Sequence, residues 1–588
     1  MSKIEALISA RTKADLAHLL GVKTSFLTYV LYVLKPSTQY EKFEIPKKSG
    51  GVRTIWAPSE KLKSLQAELS ILLQDCIEEI EGVRAEEGDD STSTLSHGFV
   101  RGHSIITNAM QHLNKKNVLN VDLKDFFDSF NFGRVRGFFI KNKNFHLEPS
   151  IATVIAQISC HDDKLPQGSP CSPVITNLIT HALDVRLATL AKKHSCSYSR
   201  YADDITFSTR KKIFPPQIMR HEGGVYLPGK RFISEIRRAG FEINHGKTRI
   251  LYKDSRQEVT GLVANQKPSV KSEYWRTAKA QCHALFQNGT FTKEVNGVML
   301  AGSINELEGK LNFIDQIDHF NRLRSRKKPD PIYVIRNHGY KQDELLSGRE
   351  RTFSRFLYYR WFYGNKKATI LCEGKTDNVY LKAAISRLAT RYPKLVKPET
   401  TTQKYELLVS FFKYTARTRF FLNLHGGTPY IDLFIKSFNE KQGFYSAPNP
   451  EKPVIIVMDN DSGFNDTFNL LKKMNATPYP STLKKNNFRN SEFIHVGQNL
   501  YVVLTPLGAA GKETAIEDLF SKKVLGEKVS GKTFNPCDKT RDNAKEYGKE
   551  VFAKRVVLAK KDSISFSGFK PILKRIVQCI DHYESIRP

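Results

Sequence analysis

Several short runs of apolar residues in this chain stop at an acidic side chain. Residues 118–121 are followed by Asp122, residues 368–372 by Glu373, and residues 454–458 by Asp459. Apolar runs of about four to eight residues bounded by turn residues are typical of buried strands. The pattern therefore predicts three buried strands with an acidic residue at the end of each.

A different pattern surrounds residues 198–207 (YSRYADDITF), where two β-prone runs flank a short turn. This arrangement predicts a hairpin with Asp203 and Asp204 at its turn. Adjacent carboxylates repel each other, and a pair of divalent cations would remove that cost. Together with Asp122, the carboxylates of Asp203 and Asp204 supply the hard oxygen ligands that Mg²⁺ prefers for phosphoryl or nucleotidyl transfer. The alternative interpretation is a solvated turn.

The acid-terminated runs in the C-terminal half predict a second kind of site. A Glu373-Gly374 turn follows the first run, and a helical stretch is predicted over 378–389. Strand–turn–helix units predict a parallel sheet whose chemistry lies at the carboxyl ends of its strands. Glu373, Asp459 and Asp461 would then form an oxygen site for Mg²⁺ or Mn²⁺. The alternative is an unrelated α/β domain with acidic strand ends.

Length and charge narrow the class of protein. The chain has 588 residues, which favours roughly two to four domains. It carries 91 Lys and Arg against 60 Asp and Glu, a net charge of +31. This excess favours a nucleic-acid partner with salt-sensitive binding over a merely solvated basic surface. One acidic stretch, residues 78–90, is predicted to be an exposed loop away from phosphate.

Composition excludes several other classes. With 40% hydrophobic and 26% charged residues, the chain is neither collagen-like nor wholly disordered. The longest apolar run, residues 26–34, is far shorter than the roughly 20 residues that a membrane-spanning helix needs. We expect no signal peptide and no membrane association. The eight cysteines show no C-x-x-C pair, so we expect reduced thiols and a cytoplasmic protein.

The first set of motifs resembles the palm of a reverse transcriptase. YADD at 201–204 follows the strand that ends at Asp122, and Phe127 lies five residues after that aspartate. The resemblance covers about residues 35–320 and implies right-hand-like fingers, palm and thumb in an α+β arrangement. It implies that Asp122, Asp203 and Asp204 bind two Mg²⁺ ions in an RNA-directed DNA polymerase.

The resemblance also implies roles for residues outside the acidic set. Phe127 corresponds to the steric gate that excludes a 2′-OH, although a plain core aromatic is the alternative. Lys247 corresponds to a lysine that protonates the leaving pyrophosphate. The implied substrate-binding residues are Lys47, Lys48 and Arg53 at the triphosphate, and Gln167 and Gly168 under the nucleotide and template.

Two further motifs resemble those of retron reverse transcriptases, and favour that group over the group II intron type. They are N-A-x-x-H, from Asn108 to His112, and the V-T-G element Val259, Thr260 and Gly261. The resemblance implies that these residues bind a structured noncoding RNA. It also implies that DNA synthesis starts from the 2′-OH of a guanosine, which yields a branched RNA–DNA product.

The second set of motifs resembles a TOPRIM domain, an α/β Rossmann-like fold with a parallel sheet. Its Glu-Gly-x-x-Asp turn begins at Glu373, and its Asp-x-Asp element comprises Asp459 and Asp461. Among TOPRIM classes, a nuclease of the OLD type is favoured over a topoisomerase or primase. That resemblance implies that Glu373 acts as acid–base or ligand. The accessory residues it suggests are Asp377, Lys375, Lys512 and the acidic element 516–519.

These resemblances predict a multidomain protein with four parts. They are a reverse transcriptase over 1–320, a basic connector over 321–365, a TOPRIM domain over 366–525 and an unassigned extension over 526–588. The fusion predicts a retron polymerase with a nuclease effector in anti-phage defence. The alternatives are a TOPRIM domain that only binds the branched product, or one that only processes it. The oligomeric state stays open.

Overall fold

The computed structural model describes residues 2–47, 50–86, 95–222, 225–325, 345–401, 403–484, 486–538 and 540–587. The packing of Cα atoms divides the chain into two compact units, Met1–Lys271 and Ser272–Pro588. Residues 272–320, which the sequence assigned to the reverse transcriptase part, belong to the second unit. Residues 326–331, part of the predicted basic connector, lie outside the described residues.

The first unit is mixed α and β. Its strands are β1 (Tyr40–Pro46), β2 (Val52–Pro58), β3 (Asn117–Leu123), β4 (Cys196–Tyr201), β5 (Asp204–Thr209), β6 (Met219–Glu222), β7 (Val225–Pro228), β8 (Ile243–Tyr252), β9 (Glu258–Val259) and β10 (Leu262–Val263). Its α-helices are Lys3–Ser9, Lys13–Leu19, Thr24–Thr28, Glu60–Glu86, Ile105–Met110, Phe132–Lys141, Pro149–Ser159, Ser172–Lys193 and Lys230–Arg238. A π-helical turn spans Tyr29–Leu34, and 3₁₀ turns span Pro36–Thr38 and Phe127–Ser129.

The central feature of this unit is a four-stranded antiparallel sheet in the order β4–β5–β3–β8. The predicted strand over 118–121 is confirmed, because β3 is buried along nearly its whole length. On β4 and β5, Tyr198 and Phe207 pack ring to ring, and Phe207 also packs on Phe232 of the helix Lys230–Arg238. These rings form part of the buried core that packs on this sheet.

The acidic stretch 78–90 is helical where the structure describes it, not a loop. The 27-residue helix Glu60–Glu86 runs through it, and residues 87–90 lie outside the described residues. Arg101 Nη1 lies 2.7 Å from Asp75 Oδ1 and 3.1 Å from Glu78 Oε2, so part of the acidic charge is paired within the unit. The loop prediction was wrong because helical packing outweighed the local charge.

The second unit contains a larger sheet. Its strands are β11 (Thr292–Val295), β12 (Val298–Ala301), β13 (Ala368–Cys372), β14 (Val396–Lys397), β15 (Glu406–Leu407), β16 (Val409–Phe411), β17 (Val454–Met458), β18 (Thr477–Tyr479), β19 (Phe493–Gly497), β20 (Leu500–Leu504), β21 (Thr533–Phe534) and β22 (Glu546–Tyr547). Its α-helices are Ser272–Asn288, Ile304–Ser325, Gly348–Tyr358, Asp377–Arg387, Ala416–Leu422, Thr428–Gln442, Phe464–Lys473, Lys522–Leu525, Lys549–Val551 and Lys570–Ile586. Tyr359–Tyr363 and Phe552–Leu558 are π-helical, and Ala389–Arg391, Phe488–Asn490, Ala509–Gly511, Ile516–Leu519 and Ser567–Phe569 are 3₁₀ turns.

The six-stranded sheet has the order β16–β13–β17–β20–β19–β18. Its first four strands are parallel, as predicted from the strand–turn–helix units. The sheet as a whole is mixed, because β19 and β18 run antiparallel at one edge. β13 and β17 are neighbours, and this pairing brings the residues after Cys372 and Met458 to the same edge.

The predicted extension over 526–588 contributes to the core of this unit. Ile572, Ile576 and Ile580 of the last helix are buried in the cluster that contains alternate residues of β13 and β17. Tyr501 on β20 hydrogen bonds through its hydroxyl to His582 Nδ1 at 2.8 Å. The last helix therefore covers one face of the sheet.

Among the described residues, no single helix is long and apolar enough to cross a membrane. The bent pair Lys13–Leu19 and Thr24–Leu34 meets that test only when its two helices are counted together.

Candidate functional site

The hairpin predicted over 198–207 is confirmed, and it brings the first acidic set together. Tyr201 pairs with Asp204, so the turn consists of Ala202 and Asp203 alone. Ala202 has a φ of 57°, in the left-handed region that tight hairpin turns require. On the neighbouring strand, Asp122 pairs directly with Asp204. The backbone N–H of Leu123 donates to the carbonyl of Asp203 at 3.0 Å, which fixes the turn against β3.

The electrostatics of this set favour cation binding. Burial, followed by repulsion from Asp203 and Asp122, raises the pKa of Asp204 to about 6. Burial is also the main cause of the raised pKa of Asp203. A bound divalent ion stabilises the ionised form of carboxylates whose pKa is raised in the absence of the ion. The donor set therefore fits Mg²⁺.

Asp122 is held by two neighbouring side chains on β8. Asn244 Nδ2 donates to its Oδ1, and Lys247 Nζ donates to its Oδ2, each at 3.0 Å. The predicted proton donor, Lys247, thus lies beside the acidic set with its side chain still largely exposed. It combines a fixed position with access to a substrate.

A buried ion pair that the motifs did not reveal supports the turn. Arg200 is fully buried, and its Nε and Nη2 donate to the two oxygens of Asp184, each at 2.7 Å. Its Nη1 donates to the carbonyl of Ala202 at 2.9 Å. Breaking one partner of such a pair costs about 3–5 kcal/mol. A charged residue immediately before YADD, within a run predicted to be a strand, was the available sequence signal for it.

The predicted nucleotide-binding residues lie on two segments that contact each other. Lys47 and Arg53 are exposed on the β1–β2 hairpin, and Lys48 lies outside the described residues. The carbonyl of Gln167 accepts from the backbone N–H of Trp56 on β2 at 2.8 Å. Gly168 has a φ of 122°, and a Cβ there would lie 2.6 Å from the carbonyl oxygen of Trp56, so only glycine fits. The predicted positions therefore form one continuous surface with the hairpin.

The two retron-like motifs contact each other inside the protein. Ser199 Oγ donates to Asn108 Oδ1 at 2.6 Å, and Asn108 Nδ2 lies 3.4 Å from Thr260 Oγ1. His112 Nε2 and Nδ1 each lie 2.7 Å from a serine hydroxyl, on β4 and β5 respectively. Because Ser199 donates to Asn108, it accepts from His112, which places the imidazole proton on Nε2.

Burial changes the predicted role of these residues. Asn108, His112 and Val259 are completely enclosed, so the predicted direct contact of their side chains with RNA is replaced by a structural role. Thr260 is half-buried and Gly261 is exposed, and RNA contact there stays a prediction. The enclosed residues join the strands of the YADD hairpin to β9 and the helix Ile105–Met110.

His112 makes stability depend on pH. Burial is the main cause that lowers its pKa to about 3, below the ordinary value of about 6.5 in an unfolded chain. The unfolded state therefore binds more protons, and the contribution is complete above pH about 6.5 and lost as the pH falls towards 3. We expect the melting temperature of His112→Gln to depend less on pH than the wild type between pH about 7.5 and about 5. The variant His18→Gln, at an exposed histidine, is the control. If the melting temperature of His112→Gln depended on pH as steeply as that of the wild type, the assignment of this pH dependence to His112 would be wrong.

A second group of acidic side chains lies at the carboxyl ends of β13 and β17. We define the acidic cluster as Glu373, Asp377, Asp459 and Glu517. Asp459 Oδ1 accepts from the backbone N–H of Ile516 at 2.8 Å, and Asp377 Oδ2 from that of Gly374 at 2.8 Å. Thr428 Oγ1 donates to Glu373 Oε1 at 3.0 Å. The predicted parallel sheet thus gathers acids from segments far apart in sequence.

Burial, together with mutual repulsion, disfavours ionisation of the acidic cluster. Burial, followed by Asp377, Glu373 and Glu517, raises the pKa of Asp459 to about 8. Burial is the main cause that raises the pKa of Asp377 to about 7, and burial also raises that of Glu373. As in the first set, the donor chemistry fits a divalent cation.

Asp461 lies at the edge of the acidic cluster. Its Oδ1 accepts from the backbone N–H of Gly463 at 2.8 Å, and its charge raises the pKa of Glu373. Between the two aspartates, Asn460 is fully buried, and its Oδ1 accepts from Arg489 Nη1 at 3.0 Å. Asn460 therefore anchors the segment in the interior between the two aspartates.

A lysine from the predicted extension enters the acidic cluster. Lys549 Nζ lies 3.1 Å from Glu517, whose side chain is 5% exposed. The charges of Asp459 and Asp377 also act on Lys549 and help to raise its pKa. No motif pointed to Lys549. Of the two lysines suggested instead, Lys375 is exposed and lies 3.4 Å from Glu550, and Lys512 is exposed.

Across the described ranges, no three His, Cys, Asp or Glu side chains stand in a ready-made ligand arrangement. The fit of both acidic sets to a divalent cation therefore rests on donor chemistry and charge, and not on preformed coordination geometry.

Comparison with known proteins is informative for the first half of the chain. Residues 45–271 match the reverse transcriptase (RNA-dependent DNA polymerase) family. The retron Mx65 reverse transcriptase of Myxococcus xanthus is 30% identical over 342 residues, which cover 54% of this chain and 72% of that protein. The retron Ec86 reverse transcriptase of Escherichia coli is 30% identical over 310 residues, which cover 52% and 84%. The retron Mx162 reverse transcriptase of Myxococcus xanthus is 32% identical over 325 residues, which cover 52% and 63%.

Proposed function

The chain belongs to the retron reverse transcriptases, and we propose that it copies a structured noncoding RNA into branched RNA–DNA and carries a nuclease in its second unit. RNA-directed DNA synthesis is the activity of this family. The observation that carries the assignment of the polymerase site is the direct pairing of Asp122 with Asp204 beside the Asp203 turn.

In the proposed polymerase site, each residue has one task. Asp122, Asp203 and Asp204 hold two Mg²⁺ ions, which activate the attacking hydroxyl and stabilise the leaving oxygen when bound. Lys247, fixed by Asp122, donates a proton to the leaving pyrophosphate. Arg200 positions the turn through the Ala202 carbonyl.

The remaining polymerase residues bind the substrate. Lys47 and Arg53 on the exposed hairpin bind the triphosphate, because cationic donors suit phosphate oxygens. Gln167 and Gly168 lie against the base of the same hairpin and support the nucleotide and template. Phe127 is half-buried in the 3₁₀ turn after β3, with its ring 5.6 Å from that of buried Phe126. Its partial exposure in the turn that follows the strand of Asp122 is what a steric gate requires.

Phe127→Ala should admit ribonucleotides, because removal of the ring removes the clash with a 2′-OH. Incorporation of rNTPs relative to dNTPs, measured by primer extension, should rise by at least about tenfold, the equivalent of about 1.4 kcal/mol. Phe126→Leu is the matched control, since Phe126 is buried among Phe130 and Phe241 and does not face the substrate side. An unchanged preference in active Phe127→Ala protein would place the gate elsewhere.

The proposed partner is a structured noncoding RNA. The net charge of +31 supports a polyanionic ligand. The purified protein should carry an RNA joined to DNA by a 2′–5′ bond, which debranching enzyme converts into two separate strands. Copurified RNA without such a branch, or a preparation free of nucleic acid, would contradict the proposed product.

The proposed nuclease rests on the acidic cluster at the carboxyl edge of a Rossmann-like sheet, where α/β domains place their chemistry. Glu373, Asp459 and Asp461 bind Mg²⁺ or Mn²⁺, which activates water for attack on a phosphodiester when bound. Glu373 also serves as acid–base, because burial raises its pKa above that of an ordinary carboxyl and so favours a form that can donate a proton. Asp377 and Glu517 complete the acidic cluster.

Lys549 is the proposed electrostatic partner of the phosphate. Its ammonium forms an ion pair with Glu517 of the acidic cluster, yet its side chain is 37% exposed. A fixed cation there would stabilise the additional negative charge of the phosphodiester transition state. We propose that this activity serves as an effector in defence against phage, restrained by the branched RNA–DNA.

A further inference from the structure

The second unit contains an open cavity of about 430 Å³ between the helix Gly348–Tyr358 and the end of the helix Thr428–Gln442. This volume lies within the range of about 300–1,000 Å³ that small-molecule sites occupy. The cavity is separate from the acidic cluster. The helix Thr428–Gln442 starts beside Glu373 and ends at the cavity, and its 15 residues span about 22 Å.

The wall of the cavity is strongly basic. Arg351, Arg355 and Lys441 line it, against Glu440 as the one acid among the described lining residues. Within the described ranges, neither arginine forms an ion pair with a carboxylate. Arg351 Nε donates to the carbonyl of Leu346 at 3.2 Å, which holds its guanidinium at the rim. Two fixed guanidinium groups without acidic partners are suited to bind a phosphate.

The same wall carries aromatic rings. The guanidinium carbon of Arg355 lies 4.1 Å from the ring centre of Phe444, whose residue is 39% exposed. The hydroxyls of Tyr358 and Tyr445 donate to backbone carbonyls at 3.2 and 2.8 Å, so these two buried residues contribute aromatic surface to the wall with their hydroxyls already bonded. An exposed aromatic ring beside an arginine is the arrangement on which nucleobases stack.

We propose that this cavity binds a nucleotide. The base stacks on Phe444, and the phosphate lies between Arg351 and Arg355. A free nucleotide and a nucleotide within a nucleic-acid strand both present a base and a phosphate. Adenosine monophosphate carries both groups and is therefore the probe. The site shares no residue with the proposed polymerase and nuclease sites.

The test uses the full chain, freed of nucleic acid by a high-salt wash and kept in EDTA. EDTA prevents metal-dependent binding at both acidic sets. Isothermal titration with AMP should show saturable binding, with adenosine and inorganic phosphate each at least about tenfold weaker. In a second arm, an oligodeoxynucleotide containing 5-iodouracil is crosslinked by light, and the modified residue is identified by mass spectrometry.

The variants separate this site from the rest of the protein. Arg351→Gln with Arg355→Gln should abolish AMP binding, and Phe444→Leu should weaken it at least about tenfold. Arg391→Gln, an exposed arginine elsewhere in the same unit, should leave it unchanged. All variants replace exposed side chains of the second unit, and an unchanged melting temperature of the full chain will verify that each variant is folded.

The two arms distinguish the sources of the ligand. AMP binding that depends on both arginines supports a free nucleotide. A crosslink at Phe444 without AMP binding supports a base of a strand. Neither binding nor crosslink, or binding that persists in the double arginine variant, would overturn the proposal, whatever the outcome for the nuclease.

Discussion

Replacing Asp203 and Asp204 together by Asn should reduce DNA synthesis at least about 10³-fold. The metal ions supply several kcal/mol of transition-state stabilisation, and each 1.36 kcal/mol corresponds to a factor of ten. Asn preserves the size of the side chain and removes the charge that holds the ions. Full-length cDNA from an RNA template, measured by primer extension with Mg²⁺, is the readout.

The same substitution should not weaken the fold. Burial raises the pKa of both carboxyls, so their ionised forms are disfavoured in the metal-free protein. The melting temperature in EDTA should therefore stay equal or rise, which separates lost chemistry from lost structure. Asp254→Asn is the matched control, since it is exposed beyond the far end of β8 and should keep wild-type synthesis. Full-length cDNA from the double variant would refute the assignment of the palm.

Replacing Glu373 by Gln and Asp459 by Asn should remove nuclease activity and phage protection while DNA synthesis continues. These acids lie at strand ends in the second unit, whereas Asp122, Asp203 and Asp204 belong to the first. Loss of the ligands should lower cleavage at least about 10³-fold for the same energetic reason as in the polymerase. Asp466→Asn, an exposed acid on the helix Phe464–Lys473, is the matched control.

The readouts are the yield of branched DNA, its length and the efficiency of phage plating, all measured in the same strains. Full protection by the double variant would leave the second unit as a module that binds the branched product. Normal protection with lengthened product would indicate processing alone. Loss of both protection and synthesis would show that the two activities depend on each other.

Local sequence was sufficient to predict elements whose pattern is short-range. The apolar run before Asp122 predicted β3, and the β-prone runs around YADD predicted the hairpin, because strand burial and turn formation depend on adjacent residues. The parallel core of the larger sheet followed from the strand–turn–helix order in the same way. The antiparallel edge strands β18 and β19 were not predicted, because a short edge strand has too few residues to show a clear hydrophobic pattern.

The acidic stretch 78–86 shows where local sequence misled. Its charge predicted a loop, yet it continues a 27-residue helix in which Leu65, Leu69 and Leu73 face the core. Helices in proteins are stabilised mainly by packing of their apolar face, and that face begins upstream of the acidic residues. Charge alone therefore indicated exposure and not the type of element.

The sequence by itself determined the family, the palm aspartates and the strand-end acids, because each is a short motif whose residues are neighbours along the chain. Only the tertiary structure decided which distant groups meet. Arg200 is paired with Asp184, Asn108 contacts Thr260, and Lys549 reaches Glu517 across 32 positions. Buried polar groups must find partners wherever the fold places them, and no local pattern encodes that choice.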